Sequence, residues 1–148
     1  MTSEFRVRAA RLTDFPALLE IWRRAVAATH DFLTPEDRAA IDRAVAEEYL
    51  PSAELIVATN AEDEPIAFLG GSGREIESLF VDPSVHGQGA GRLLLEHFDR
   101  SGEGDLSVEV NEQNGGARAF YARLGFRVVG RSPLDGQGRP YPLLRLVR

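Results

Sequence analysis

Apolar residues between positions 15 and 26 recur at intervals of three and four, so that Phe15, Leu18, Leu19, Trp22, Ala25 and Val26 fall on one side of a helix. Thr13 reads as its N-cap, with Asp14 at the start. Thr34-Pro35-Glu36 then supplies an N-cap, a first-turn proline and an acid suited to the positive end of a helix dipole. The second helix so predicted carries Ile41, Val45 and Tyr49, and Pro51 stops it. Between the two helices, the loop ATHDFLTP holds His30, Asp31 and Phe32. Ahead of both, Phe5 to Arg8 reads as a short strand.

Further on, the pattern shifts to the short apolar runs of strands. Leu55 to Ala58 and Ile66 to Leu69, joined by the polar stretch from Asn60 to Pro65, read as an antiparallel hairpin. Glu75 to Val81 is a strand bounded by Asp82-Pro83, with Glu75 and Glu77 on one face and Ile76, Ser78 and Phe80 on the other. Gly89 to Phe98 has helical spacing again. Leu106 to Val110 reads as a strand, Gly115 to Leu124 as a short helix closed by Gly125, then Phe126 to Val129 and Leu143 to Val147 as strands. The order β-α-α-β-β-β-α-β-α-β-β implies an α/β fold with a partly parallel sheet, and no linker, repeat or low-complexity segment divides it.

Composition narrows the chemistry. At 148 residues and 43% hydrophobic content, one domain with a buried core is expected over positions 1 to 148. A net charge of −6 argues against a nucleic-acid partner and suits an amine-bearing acceptor. With no cysteine and three scattered histidines, His30, His86 and His97, neither a metal site nor a cysteine nucleophile is expected. Neither a membrane span nor a signal peptide is apparent, so no membrane partner and a cytoplasmic location are expected.

Three glycines, Gly87, Gly89 and Gly91, crowd the junction between the strand ending at Val81 and the helix that follows. A strand, a glycine-rich loop and a helix N-terminus together form a site for phosphate, because loop amides and the helix dipole both favour a negative charge. A tight turn alone is the plainer alternative. The spacing matches neither the dinucleotide pattern G-x-G-x-x-G nor a P-loop.

Ile76 to Pro83 followed by His86-Gly87-Gln88-Gly89-Ala90-Gly91 resembles motif A of the GNAT superfamily of acetyl-CoA-dependent N-acetyltransferases. Asn111 to Phe126, with Asn114, Ala117, Phe120-Tyr121 and Gly125-Phe126 in register, resembles motif B. Further likeness in VAATHDFLT, VNEQN and GRPYPLL points to a small bacterial subgroup. The resemblance implies a mixed sheet of about seven strands with about four helices, splayed between the strands of Leu79 and Val110. It implies acetyl-CoA as cosubstrate, its diphosphate on His86, Gly87, Gln88, Gly89, Ala90, Gly91 and Arg92, its pantetheine arm along Leu79, Phe80 and Val81, and a cofactor contact from Asn114. His86 stands where the family usually has Arg or Gln, and a protonated imidazole there would favour phosphate.

Family likeness also makes Tyr121 the general acid for the departing thiolate, a role open to a phenol with a pKa of about 10. Glu77 is the candidate base, the alternative being a solvated carboxylate. His30 is a second candidate for base or substrate contact, while Phe32 and Tyr141 are candidate walls of the acceptor pocket, or core filling. The resemblance implies direct transfer to a small-molecule or peptide amine, and leaves open whether the protein is a monomer or homodimer. A CoA-binding sensor without catalysis is the alternative.

Overall fold

The computed structural model describes residues 4–100 and 102–148. After β1 (Arg6–Ala9), a single turn over Leu12–Asp14 leads into α1 (Phe15–Thr29). Asp14, rather than Thr13, organises this entry: its carboxylate accepts the Arg11 N–H at 2.7 Å and pairs with Arg8 at 2.7 Å. At α2 (Pro35–Ala44), Thr34 is the N-cap expected, its hydroxyl accepting the Asp37 N–H at 3.1 Å.

Pro51 does not stop the second helix. The chain continues from α2 through a π-type turn, Val45–Tyr49, into a last turn, α3 (Leu50–Ser52). In the wider turn the Leu50 N–H reaches back to the Val45 carbonyl, and Pro51 then sits in the opening positions of α3, where a missing N–H costs little.

Three strands follow as an antiparallel meander, β2 (Leu55–Thr59), β3 (Pro65–Ser72) and β4 (Glu75–Val81). Then come α4 (Ala90–Phe98), β5 (Ser107–Asn111), α5 (Gly115–Arg123), β6 (Arg127–Ser132) and β7 (Leu143–Val147). The strands form one sheet of seven in the order β1-β2-β3-β4-β5-β7-β6, with β4 and β5 parallel and every other pair antiparallel. β3 and β6 both run past their expected ends, because β4 pairs with β3 out to Ser72 and β7 carries the pairing of β6 out to Ser132.

One face of the sheet packs Val57 and Phe68 against Leu18, Ile21, Trp22 and Val26 of α1 and Leu50 of α3. The other packs Ile76, Val108, Val110, Leu144 and Leu146 against Leu94 and Leu95 of α4 and Tyr121 of α5. No helix among the described residues is long and apolar enough to cross a membrane.

Two irregularities shape the centre. β4 and β5 pair only at Glu75 with Ser107 and Ile76 with Val108, after which the two strands run on without further pairing. On its other side β4 bulges: Gly71 faces Ile76 and Gly70 faces Ser78, so Glu77 is an extra residue. This corrects the expected alternation. Ile76, Leu79 and Val81 serve the core under α4 and α5, while Phe80 packs into the cluster under α1.

Candidate active site

The splay between β4 and β5 lies at the middle of the sheet, and the glycine loop lies at its open end. Asp82, buried at the end of β4, anchors that loop by accepting the Ser84 N–H at 3.0 Å and Arg24 at 2.8 Å. Burial works to raise the Asp82 pKa, but the Ser84 and Arg24 bonds outweigh it and hold the carboxyl below its ordinary range. The amides of Val85, His86 and Gln88 close short turns on Asp82, Pro83 and Val85. Those of Gly87, Gly89, Ala90, Gly91 and Arg92 donate to no described group, the last four at the N-terminus of α4.

The three glycines serve different ends. Gly87 and Gly89 adopt φ of +79° and +88°, and a Cβ at either would meet nothing within 4 Å. Open space therefore lies beside unpaired amides. At Gly91 a Cβ would come within 3.2 Å of the Phe120 ring, so this glycine lets α5 pack against α4. The His86 side chain is exposed, and the Arg92 guanidinium is held by Glu96 at 2.8 Å. Asn114 caps α5, its side-chain oxygen accepting the Ala117 N–H at 3.1 Å.

Tyr121 is 5% exposed, its ring packed edge-on between Phe120 and Phe126 with centroids 5.0 Å and 5.1 Å away. Burial raises its pKa well above that of an ordinary phenol, so the hydroxyl stays protonated at neutral pH. Glu77, on the bulge, is exposed and close enough to Tyr49 for its charge to be felt there. Tyr121 and Glu77 thus belong to opposite faces of the sheet.

The acceptor-side candidates do come together. His30 stacks on Phe32 at 5.2 Å and Phe32 on Tyr141 at 5.9 Å. The Tyr141 hydroxyl donates to Asp37 and accepts the Thr34 N–H at 3.2 Å, fastening the segment before β7 to the start of α2. Thr29 Oγ1 donates to the Ala25 carbonyl at 2.8 Å, so Nδ1 of His30, 2.6 Å away, acts as donor to it and Nε2 keeps its lone pair. Burial, then the charge of Arg38, lowers the His30 pKa and keeps the ring neutral at pH 7. No group of three or more histidines and carboxylates gathers as a metal site among the described residues.

Residues 30–139 match the model of the acetyltransferase (GNAT) domain. The peptidyl-lysine N-acetyltransferase YjaB of Salmonella typhimurium is 45% identical over 141 residues, covering 95% of this chain and 96% of the relative. YjaB of Escherichia coli is 46% identical over 140 residues, covering 95% and 94%. The solution structure of apo-form YjaB from Escherichia coli superposes with a TM-score of 0.90 at 44% identity, covering 97% of each chain. The chain belongs to the GNAT acetyltransferase family. It is an acetyl-CoA-dependent N-acetyltransferase, with acetyl-CoA as cosubstrate.

Within this GNAT domain, sequence reasoning passed over Tyr49, Ser78 and Gly70, which meet behind the β4 bulge. The available signal was the pair Gly70-Gly71 inside an apolar strand, since glycine there marks a bulge or a close approach.

Proposed function

We propose that this enzyme acetylates lysine side chains of proteins or peptides, by direct attack of the amine within a ternary complex. The acceptor class is drawn from the names of its YjaB relatives. The observation that carries the reading is the parting of β4 from β5 beside unpaired amides at the mouth of α4. A pantetheine chain fits the one as an added strand, and a diphosphate fits the other.

On this reading the amides of Gly87 and of Gly89 to Arg92 hold the diphosphate, and Leu79 to Val81 guide the arm to the thioester. A β4 amide freed by the bulge faces the carbonyl oxygen as negative charge develops on it. Glu77 takes the proton released by the attacking amine, directly or through water. As the carbon–sulfur bond breaks, Tyr121 donates a hydrogen bond and then its proton to the leaving thiolate. The burial that raises the phenol would also raise a thiol brought beside it, which keeps donor and acceptor matched. His30, Phe32 and Tyr141 wall the acceptor side.

The test is thiol release from acetyl-CoA with lysine-containing peptides, the product identified by mass spectrometry. Acetylated lysine is expected, and Tyr121→Phe should lower kcat about 10²-fold while acetyl-CoA affinity hardly changes. Binding of acetyl-CoA without thiol release to any amine would favour a sensor.

A further inference from the structure

The π turn and the β4 bulge are both departures from regular structure, and they meet. One residue inserted into a helix rotates everything beyond it by about 100°, and the inserted turn ends at Tyr49. The Tyr49 hydroxyl lies 2.6 Å from Ser78 Oγ, on the residue that follows the extra Glu77. Ser78 Oγ also accepts the Gly70 N–H at 3.1 Å. A hydroxyl with one proton and two lone pairs can serve both contacts, with Tyr49 donating.

Nothing larger than glycine fits at the crossing point. A Cβ on Gly70 would stand 2.2 Å from the Tyr49 oxygen and 2.8 Å from Ser78 Oγ. Burial raises the Tyr49 pKa, the Ser78 bond opposes the rise, and the charge of Glu77, the residue before Ser78, adds to it. The π turn, β3 and β4 thus converge on one hydroxyl pair directly behind the bulge.

We propose that Tyr49 is a positioning residue for acetyl transfer, fixing the β4 bulge through Ser78 and so setting both Glu77 and the Leu79 to Val81 backbone against the thioester. This rests on the acetyl-transfer reading above. A bulge leaves its extra residue unpaired and the ladder locally disrupted, and displacement of a catalytic group by an ångström can cost about 10²-fold in rate. Tyr49 therefore acts more on the chemical step than on the hold of acetyl-CoA, since the amides assigned to the diphosphate lie beyond Val81 and only the pantetheine arm runs along Leu79 to Val81.

The experiment compares wild type, Tyr49→Phe, Ser78→Ala and the double variant of the full chain, with acetyl-CoA and a lysine-containing peptide. Tyr49→Phe should lower kcat about 10- to 30-fold, with KM for acetyl-CoA changed less than about twofold. Ser78→Ala should match it, and the double variant should lose no more than the worse single, because one linkage is being cut. Ile41→Val, on the same helix, should lower the melting temperature slightly and leave kcat alone. A kcat for Tyr49→Phe within twofold of wild type, or losses that multiply in the double variant, would overturn the role. No turnover by the wild type would sink the acetyl-transfer reading as well, whereas an active wild type with an unaffected Tyr49→Phe would sink this role alone.

Discussion

Two glycines that look alike in the sequence are held by opposite constraints. Gly70 is crowded: any side chain would overlap the Tyr49 oxygen, Ser78 Oγ and a Leu55 methyl at 2.9 Å or less. Gly70→Ala should therefore cost about 2 kcal/mol or more, by the overpacking that a filled core cannot absorb, read as a lower midpoint in chemical denaturation. Gly89 is open but left-handed, with φ of +88° and nothing near a Cβ. Gly89→Ala should cost only about 1–2 kcal/mol of backbone strain, yet put a methyl where the diphosphate is expected. Calorimetry should show acetyl-CoA affinity down by about tenfold or more, since displaced anion contacts are charge-assisted. Equal loss of affinity in the two variants would mean that the open space at Gly89 is not the diphosphate site.

Elements were readable where local chemistry decided them. Thr34-Pro35-Glu36 opens α2 as its composition requires, and β4 and β7 span the residues expected. What escaped was set by tertiary partners. The bulge at Glu77 depends on the Gly70-Gly71 pairing across the ladder, and the tolerance of Pro51 depends on a π turn that packing of Tyr49 rewards. The glycine loop shows the same division: its spacing was legible, its anchor was not. Asp82 holds the loop by bonds to the Ser84 amide and to Arg24, a residue 58 positions away. Because those bonds depress the Asp82 pKa against the opposing effect of burial, its stabilisation is present above the unfolded value of about 3.9 and is lost as pH falls through the lower folded value. Asp82→Asn should cost about 1–2 kcal/mol at pH 7, and the difference from wild type should begin to narrow as pH falls below about 3.9. Denaturant midpoints measured from pH 3 to 7 give the answer, and a gap that persists undiminished at pH 3 would show that the carboxylate charge is not what holds the loop.

At the scale of the molecule, the fold is two sheet segments meeting at a short seam. Beyond the two paired positions of β4 and β5, the segments are tied by Asp99, which bonds Arg74 at 2.5 Å and Arg148 at 2.6 Å, and by Tyr141 bonding to Asp37 and Thr34. The splay was legible only through family likeness, since no single-strand pattern records where two strands part. A ligand that enters the seam joins the segments. Binding to the folded state alone should add about 2.7 kcal/mol at a hundredfold excess over Kd. For a chain of this length that is a rise of roughly 5–10 °C in melting temperature. Many ligands would do as much, so the location of the effect decides. An arm lying along β4 completes the hydrogen bonds of Leu79 to Val81, and an acceptor seated above the seam shields Glu109 to Asn111. Hydrogen exchange with acetyl-CoA should therefore slow in β4 first, together with Gly87 to Arg92, and in β5 less. Stabilisation that leaves the β4 amides exchanging at their free rate would put the cosubstrate elsewhere on the protein, and with it the chemistry assigned to Glu77 and Tyr121.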